Sequence, residues 1–370
     1  LWSRLRRDCL NRIFWRKLVT CEKAPLDYKL LRAILLVCSF FYRIAVILRN
    51  LLFDISIFRK AKVDAAVVSV GNITTGGTGK TPLVAWLCNY FADRNVTTAV
   101  LTRGYKLPLS FLRSKRGGDL ADEPVILAKN CPKAEIIVNA DRTAGAKKAI
   151  TERNAKLLIM DDGFQHRKLA RDVDIVAVDA TEPFGREKLL PAGFLREPVS
   201  SLKRADAVVI TRINQTRPGK IDEIKKRILN ISPNIVFASA IHKPICARLI
   251  KDEQIALNEL AGKRLYAFCG IGNPDAFFQT LAELALNIVA ARVYNDHHRY
   301  TESDITEICE DGRYKQAEMI ITTQKDWIKT ALLCGEKIDI PIAWLAVELE
   351  FIQGRQEIIT LVENAVKKYV

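Results

Sequence analysis

Val67-Val68-Ser69-Val70-Gly71-Asn72-Ile73-Thr74-Thr75-Gly76-Gly77-Thr78-Gly79-Lys80-Thr81-Pro82 is the stretch that decides how this chain is read. A β-branched apolar run stops at a glycine-rich loop ending in Gly79-Lys80-Thr81, and an apolar helical pattern follows from Leu83 to Phe91. Glycines let backbone N–H groups close around phosphate oxygens, a lysine reaches the β/γ-phosphates, and a threonine hydroxyl meets Mg²⁺. Gly76, Gly77, Thr78, Gly79, Lys80 and Thr81 are therefore the expected nucleotide-contacting residues. The strict pattern G-x-x-x-x-G-K-[ST] asks for glycine at position 74, where this chain has Thr74. A glycine-rich turn that binds nothing is the competing reading. The Gly-Lys-Thr ending between a strand and an apolar helix weighs against it.

Outward from the loop, strand-like runs alternate with helical patterns. Ala65–Val70, Thr97–Thr102, Glu135–Asn139, Leu157–Met160, Asp174–Val178 and Ala207–Thr211 read as strands, with Leu83–Phe91 and Arg142–Glu152 as helices between them. Such alternation predicts an α/β fold, a P-loop NTPase-like, mostly parallel sheet flanked by helices. The polar stretch from Asn214 to Glu223 leads into a basic helix, and a second α/β series runs from Arg264 to a closing helix at Arg355–Lys368. The 370 residues have room for about two domains with real cores. The expected division is a basic amphipathic segment, 1–62, a P-loop core, 63–240, and a smaller C-terminal α/β domain, 241–370. A boundary between 214 and 262 is expected without being sharp.

Composition narrows the class. Hydrophobic residues at 49% against 27% charged exclude a disordered chain. Nine cysteines with no C-x-x-C pair argue against a disulfide framework or zinc site and favour a reducing compartment. The net charge of +15 is uneven: residues 1 to 62 hold 14 Lys/Arg against 4 Asp/Glu, so two thirds of the excess lies in the first sixth of the chain. A basic segment can serve nucleic acid or an anionic membrane. The apolar character from Leu30 to Phe53 decides for the membrane. Its uncharged run, Ala33 to Tyr42, is too short to span a bilayer. On a helix Arg32, Ser39, Arg43 and Asn50 fall on one line and most other positions are apolar, which predicts a helix lying in the membrane interface or a short monotopic anchor. A helix buried on the protein core is the alternative. No A-x-A-like cleavage site follows, which disfavours a signal peptide. The chain begins at Leu1, so a start further upstream is expected.

Other constellations bear on chemistry. Leu157-Leu158-Ile159-Met160 feeds into Asp161-Asp162-Gly163-Phe164-Gln165-His166, an apolar strand ending in aspartate, where a carboxylate would hold Mg²⁺ or its water. Asp-Asp-Gly is also ordinary turn chemistry; its place downstream of the phosphate loop favours metal. Thr81 with Asp161 or Asp162 is the expected metal set, the choice between the aspartates staying open. Asp122-Glu123-Pro124 presents two carboxylates. Phe184 to Pro198 is a Gly/Pro-punctuated loop whose Arg196 could clamp a phosphate or pair with Glu197. In Asn295-Asp296-His297-His298, histidine beside aspartate is a plausible proton-transfer unit.

Together these residues resemble the tetraacyldisaccharide 4'-kinase family of lipid A biosynthesis. The matching pieces are Ser69 to Pro82, Arg103-Gly104-Tyr105, Asp122-Glu123-Pro124, Asp161 to His166, Pro183-Phe184-Gly185, Leu189 to Gly193, Leu195 to Pro198, Phe268 to Pro274, Asp296 to Tyr300 and Lys325-Asp326, spread over roughly residues 25 to 350. The chain departs from the family pattern at Lys106, Ala121 and Arg186-Glu187. The resemblance implies transfer of the γ-phosphate of ATP, with Mg²⁺, to the 4'-hydroxyl of an acylated glucosamine disaccharide phosphate on the cytoplasmic face of the inner membrane. By resemblance Asp122 accepts the hydroxyl proton, paired with His297 or His298, with Lys80 and Arg196 also catalytic. Asn72, Gln165, His166 and Arg196 are implied at the substrate.

Two other functions compete. A P-loop switch GTPase or ATPase at the membrane would use Thr323-Gln324-Lys325-Asp326 as a loose guanine-reading motif, but it lies more than 200 residues beyond the loop. A nucleic-acid binder would interleave its charge with exposed aromatics, not with a greasy run; no nucleic-acid partner is expected.

Overall fold

The structure, a computed structural model, describes residues 15, 18–19, 26–103, 122–249, 253–296, 298–334 and 339–369, with side chains omitted at 26 and 122. Helix α1 (Leu26–Asp54) precedes β1 (Ala66–Gly71), α2 (Lys80–Ala92), β2 (Thr98–Thr102), α3 (Asp122–Asn130), β3 (Glu135–Val138), α4 (Arg142–Arg153), β4 (Leu157–Asp161), β5 (Val173–Asp179), β6 (Ala207–Thr211) and α5 (Lys220–Ile231). Then come β7 (Val236–Arg248), β8 (Gln254–Ile255), β9 (Arg264–Cys269), α6 (Pro274–Glu283), β10 (Asn287–Val293), α7 (Glu302–Tyr314), β11 (Met319–Thr323), α8 (Gln324–Thr330), β12 (Ile342–Gln353) and α9 (Arg355–Val366). The expected α/β architecture is present, and most expected strands and helices fall within a few residues of these bounds.

Among the described residues all twelve strands join one sheet, in the order β10-β9-β11-β12-β7-β6-β5-β1-β4-β2-β3, with β8 beside β7. The pleat sends alternate side chains into two cores: Ala66, Val68 and Val70 of β1 enter the core under α2, α3 and α9, while Ala65 and Val67 pack toward α4. Strands β1, β4, β5 and β6 are covered on both faces and are accordingly mostly apolar.

The strand that organises the molecule, β7, has no counterpart among the expected strands. It contains Pro244, which cannot donate to a ladder and normally argues against a central strand. Here Pro244 sits opposite Val347 at a register shift between Ala346 and Val347, where an irregularity tolerates the missing donor. Residues 236–239 pair in parallel with β6, and the strand then pairs antiparallel with β12 as far as Arg248. Strand β11 joins β12 only at residues 342–345, the end opposite β6. Two parallel sub-sheets therefore hang from opposite ends of the β7–β12 ribbon and run in opposite senses, so their C-terminal strand ends face each other. Gly272, after β9, accordingly lies against Gly76 and Gly77, where an added Cβ would come within 3.3 Å of each. The expected boundary at 240/241 falls inside β7. Helix α9, beyond that boundary, sends Ile358, Val362 and Ala365 into the core shared with α2.

Helix α1 is 29 residues long and includes an 18-residue stretch with a mean hydropathy of 2.1, long and apolar enough to cross a membrane. Its outer side chains include Leu30, Ile34, Val37, Phe40, Phe41, Ile44, Ile47 and Leu48, all exposed. The polar line of this helix divides. Ser39 and Asn50 turn inward and bond to the protein, donating to Leu189 O at 2.9 Å and to Glu197 Oε2 at 2.8 Å, while Arg43 stays exposed. Backbone and carboxylate acceptors in the loop before β6 attract this seam, which leaves the apolar face outward.

Candidate active site

Strand β1 carries the loop to the carboxyl edge of the first sub-sheet, where open parallel sheets bind ligands. Past β1 the chain turns through Gly76 (φ 122°) and Gly79 (φ 82°), conformations L side chains rarely adopt. Gly79 is the N-cap of α2 and supplies no side-chain cap, so the positive end of the helix faces the loop. The loop is braced from behind. Asn72 Nδ2 donates to Thr78 Oγ1 at 3.1 Å, Gln165 Nε2 to Asn72 O at 2.9 Å, Thr211 Oγ1 to Thr78 O at 3.0 Å, and Arg212 Nη1 to Gly77 O at 2.7 Å. Arg212 also pairs with Asp179. Asn72 and Gln165, expected at the substrate, thus give these donors to the loop.

Three buried polar atoms beside these braces, Asn72 Oδ1, Gln165 Oε1 and His166 Nε2, have no partner among the described residues. Buried polar groups are normally satisfied, so such atoms mark where water or ligand belongs. Burial, with Arg142, Arg171 and Lys168 nearby, lowers His166 to about 4 and keeps it neutral.

The two aspartates after β4 have different surroundings. Asp162 (φ 52°) swings off the strand, with Lys80 Nζ 3.1 Å from Oδ1 and Arg196 Nη1 2.8 Å from Oδ2. Burial opposes its charge, but Lys80 and Arg196 hold the carboxyl well below the usual range. Asp161 is buried at the strand end, and its Oδ1 has no partner among the described residues. Burial first, then the charge of Glu123, pushes it up to about 7 against the pull of Lys80. A divalent cation satisfies such an oxygen, and Thr81, on the first turn of α2, adds a hydroxyl. Thr81 and Asp161 therefore fit Mg²⁺, whereas Asp162 is already engaged by two cations. Among the described residues no cluster of three or more His, Cys, Asp or Glu could hold an ion, so phosphate and water would complete the shell.

Arg196 joins Asp162 and leaves Glu197 to others: Glu197 is buried and takes Arg49, Asn50 and Arg204. Asp122 opens α3, but its side chain lies outside the described residues, as does His297. Its neighbour Glu123 is near enough to Asp161 to raise its titration. His298 is stacked on Tyr294 at 4.6 Å, with Nε2 3.2 Å from Asp304 Oδ2. Asp296 pairs with Lys325 at 3.0 Å. Asp326, the acidic end of the loose guanine motif, is fully buried; Tyr300 donates to it at 3.0 Å and Thr323 at 2.7 Å. A carboxylate so occupied, in the first turn of α8 behind its N-cap Thr323, is closed to a base. Arg142 was not expected at this site. It is buried and donates to Asp161 O at 3.2 Å. Neither it nor the Asp179–Arg212 brace had a local signal, because each depends on strands distant in sequence.

The family model for tetraacyldisaccharide-1-P 4'-kinase matches residues 31–367. A tetraacyldisaccharide 4'-kinase of Syntrophus aciditrophicus is 40% identical over 335 residues, 85% of this chain and 87% of that protein. One from Halothermothrix orenii is 36% identical over 321 residues, 81% and 83% of the two chains. The fold is similar to the crystal structure of "apo" form LpxK from Aquifex aeolicus in complex with ATP, at TM-score 0.67 and 26% identity over 91% of this chain and 99% of that one.

Proposed function

The chain belongs to the tetraacyldisaccharide-1-P 4'-kinase family, and from that premise we propose how its residues perform the transfer. It is a kinase that moves the γ-phosphate of ATP to the 4'-hydroxyl of tetraacyldisaccharide 1-phosphate in lipid A biosynthesis. The carrying observation is that Lys80 and Arg196 converge on one carboxylate, Asp162, beside the glycine loop. Two cations aimed at one anionic point form a clamp for a phosphoryl group, with Asp162 keeping them aligned. Thr81 and Asp161 would hold Mg²⁺, which when bound would supply charge neutralisation for the phosphates. The backbone N–H groups from Gly76 to Lys80 cradle the phosphates. Asp122, with His297, accepts the proton of the sugar hydroxyl as the P–O bond forms.

The exposed face of α1 supports the rest of the reading. Because its inner seam bonds along the loop before β6, α1 lies against the body of the protein and presents its outer face to the acyl region of the inner membrane's cytoplasmic leaflet, bringing the acceptor to the clamp. The test is transfer of label from [γ-³²P]ATP to tetraacyldisaccharide 1-phosphate in detergent micelles. Acceptor-dependent labelling lost in Asp122→Ala, with ATP affinity kept, is expected. Nucleotide hydrolysis indifferent to acceptor would return the chain to the switch class.

A further inference from the structure

Glu197 is buried, yet three of its donors come from outside its own turn. Arg49 Nη2 lies 3.3 Å away and Asn50 Nδ2 donates at 2.8 Å, both from α1, and Arg204 Nη1 donates at 3.0 Å. One residue earlier, Tyr42 of α1 donates its hydroxyl to Arg196 O at 2.9 Å. On the opposite side the same segment is stitched to the phosphate loop: Arg196 N donates to Ile73 O at 2.7 Å, Thr75 N to Phe194 O at 2.7 Å, and Thr74 bridges Leu195. One layer of chain, residues 194–197, thus separates α1 from the glycine loop. From that layer Arg196 reaches Asp162, which Lys80 also reaches.

We propose that α1, besides meeting the membrane, is a brace of the active site: Tyr42 and Asn50 are positioning residues that set the Arg196 guanidinium against the phosphate loop. The inference rests on the reading of Arg196 as part of the phosphate clamp. A hydroxyl on the Arg196 carbonyl and an amide on the adjacent carboxylate define the direction in which Arg196 leaves the backbone. Without them the segment keeps its bonds to residues 73–75, to Gly185, Lys188 and Leu190, and to Arg49 and Arg204, but the Arg196 carbonyl loses its donor from α1 and Glu197 its shortest contact there. A misplacement of about 1 Å in a group that meets the transferring phosphoryl can cost on the order of 10²-fold in rate. The outward apolar side chains and the inward polar seam of α1 then have separate jobs, one read by membrane partitioning and the other by kcat.

The experiment uses the full chain in detergent micelles, so membrane delivery is not limiting, and measures kcat and KM for ATP. Tyr42→Phe and Asn50→Leu keep shape while removing the donors. Each is expected to lower kcat about five- to twentyfold with KM for ATP within about twofold. In an Arg196→Ala background the same substitutions should cost less than twofold, because the group they position is gone. Asn50→Gln, which restores an amide, should recover part of the loss. Thermal melting establishes that each variant is folded. Folded Tyr42→Phe and Asn50→Leu proteins with kcat within twofold of wild type overturn the brace. So does an equal loss in the Arg196→Ala background, which would mark a general structural effect. If Arg196→Ala itself leaves kcat unchanged, it is the clamp reading that fails.

Discussion

At the residue scale, chemistry turns on which groups are kept charged. Lys80 is held beside Asp162 with its side chain largely buried. Lys80→Ala should lower kcat at least about 10²-fold, since charge clamps on transferring phosphoryl groups are typically worth that much. Steady-state turnover within threefold of wild type would remove this loop from the phosphate site. His166 offers a pH test. Burial and three nearby cations lower it to about 4, while the unfolded chain titrates near 6.5. Between those values the unfolded state binds more protons, so this group's stabilising contribution is present above about 6.5 and lost as pH falls toward 4. His166→Gln removes the linkage, so its Tm relative to wild type should rise between pH 7 and 4.5. A difference constant across that range would mean the imidazole is not held neutral.

At the element scale, α1 shows what periodicity can and cannot say. Its helical character and apolar face were legible in the sequence from Leu30 to Phe53. Which way the polar line points was not, because Ser39 and Asn50 find their acceptors about 150 residues away, at Leu189 and Glu197. Replacing Phe40, Phe41 and Ile44 with serine should release the protein from anionic vesicles, each side chain contributing roughly 1.5–3 kcal/mol when fully buried. High salt alone should release only part of it, since screening removes the charge attraction and leaves the apolar term. Complete release by a mild salt wash in a flotation assay would reduce α1 to a peripheral basic patch. The departures at Arg186 and Glu187 are likewise explained only in three dimensions. Both take left-handed backbone, and Glu187 pairs with Arg227, whose guanidinium lies over Phe184.

At the scale of the whole molecule, the β7–β12 ribbon faces the two sub-sheets at each other and presses Gly272 onto the phosphate loop. A Cβ at 272 would meet Gly76 Cα and Gly77 N at 3.3 Å and Asp296 Oδ2 at 3.4 Å. Gly272→Val should therefore separate the loop from the segment that carries Asp296 and His297. The expected cost is about ten- to a hundredfold in kcat with a smaller change in KM for ATP, measured in micelles with melting as the fold check. An unchanged kcat would show that the two strand ends need not touch during transfer.

The sequence by itself determined the α/β class, the glycine loop with Lys80 and Thr81, the aspartates at the end of β4, and an apolar N-terminal helix. Each of these is a local pattern: strand alternation, helix periodicity, or residue types at fixed spacing around a phosphate. Only the tertiary structure gave Asp161 and Asp162 their different surroundings, turned Arg196 toward Asp162 and Glu197 toward α1, closed Asp326 inside the fold, and made β7 a strand despite Pro244. Those outcomes depend on partners tens to hundreds of residues away, and on burial and electrostatic fields that exist only after the sheet has brought the partners together.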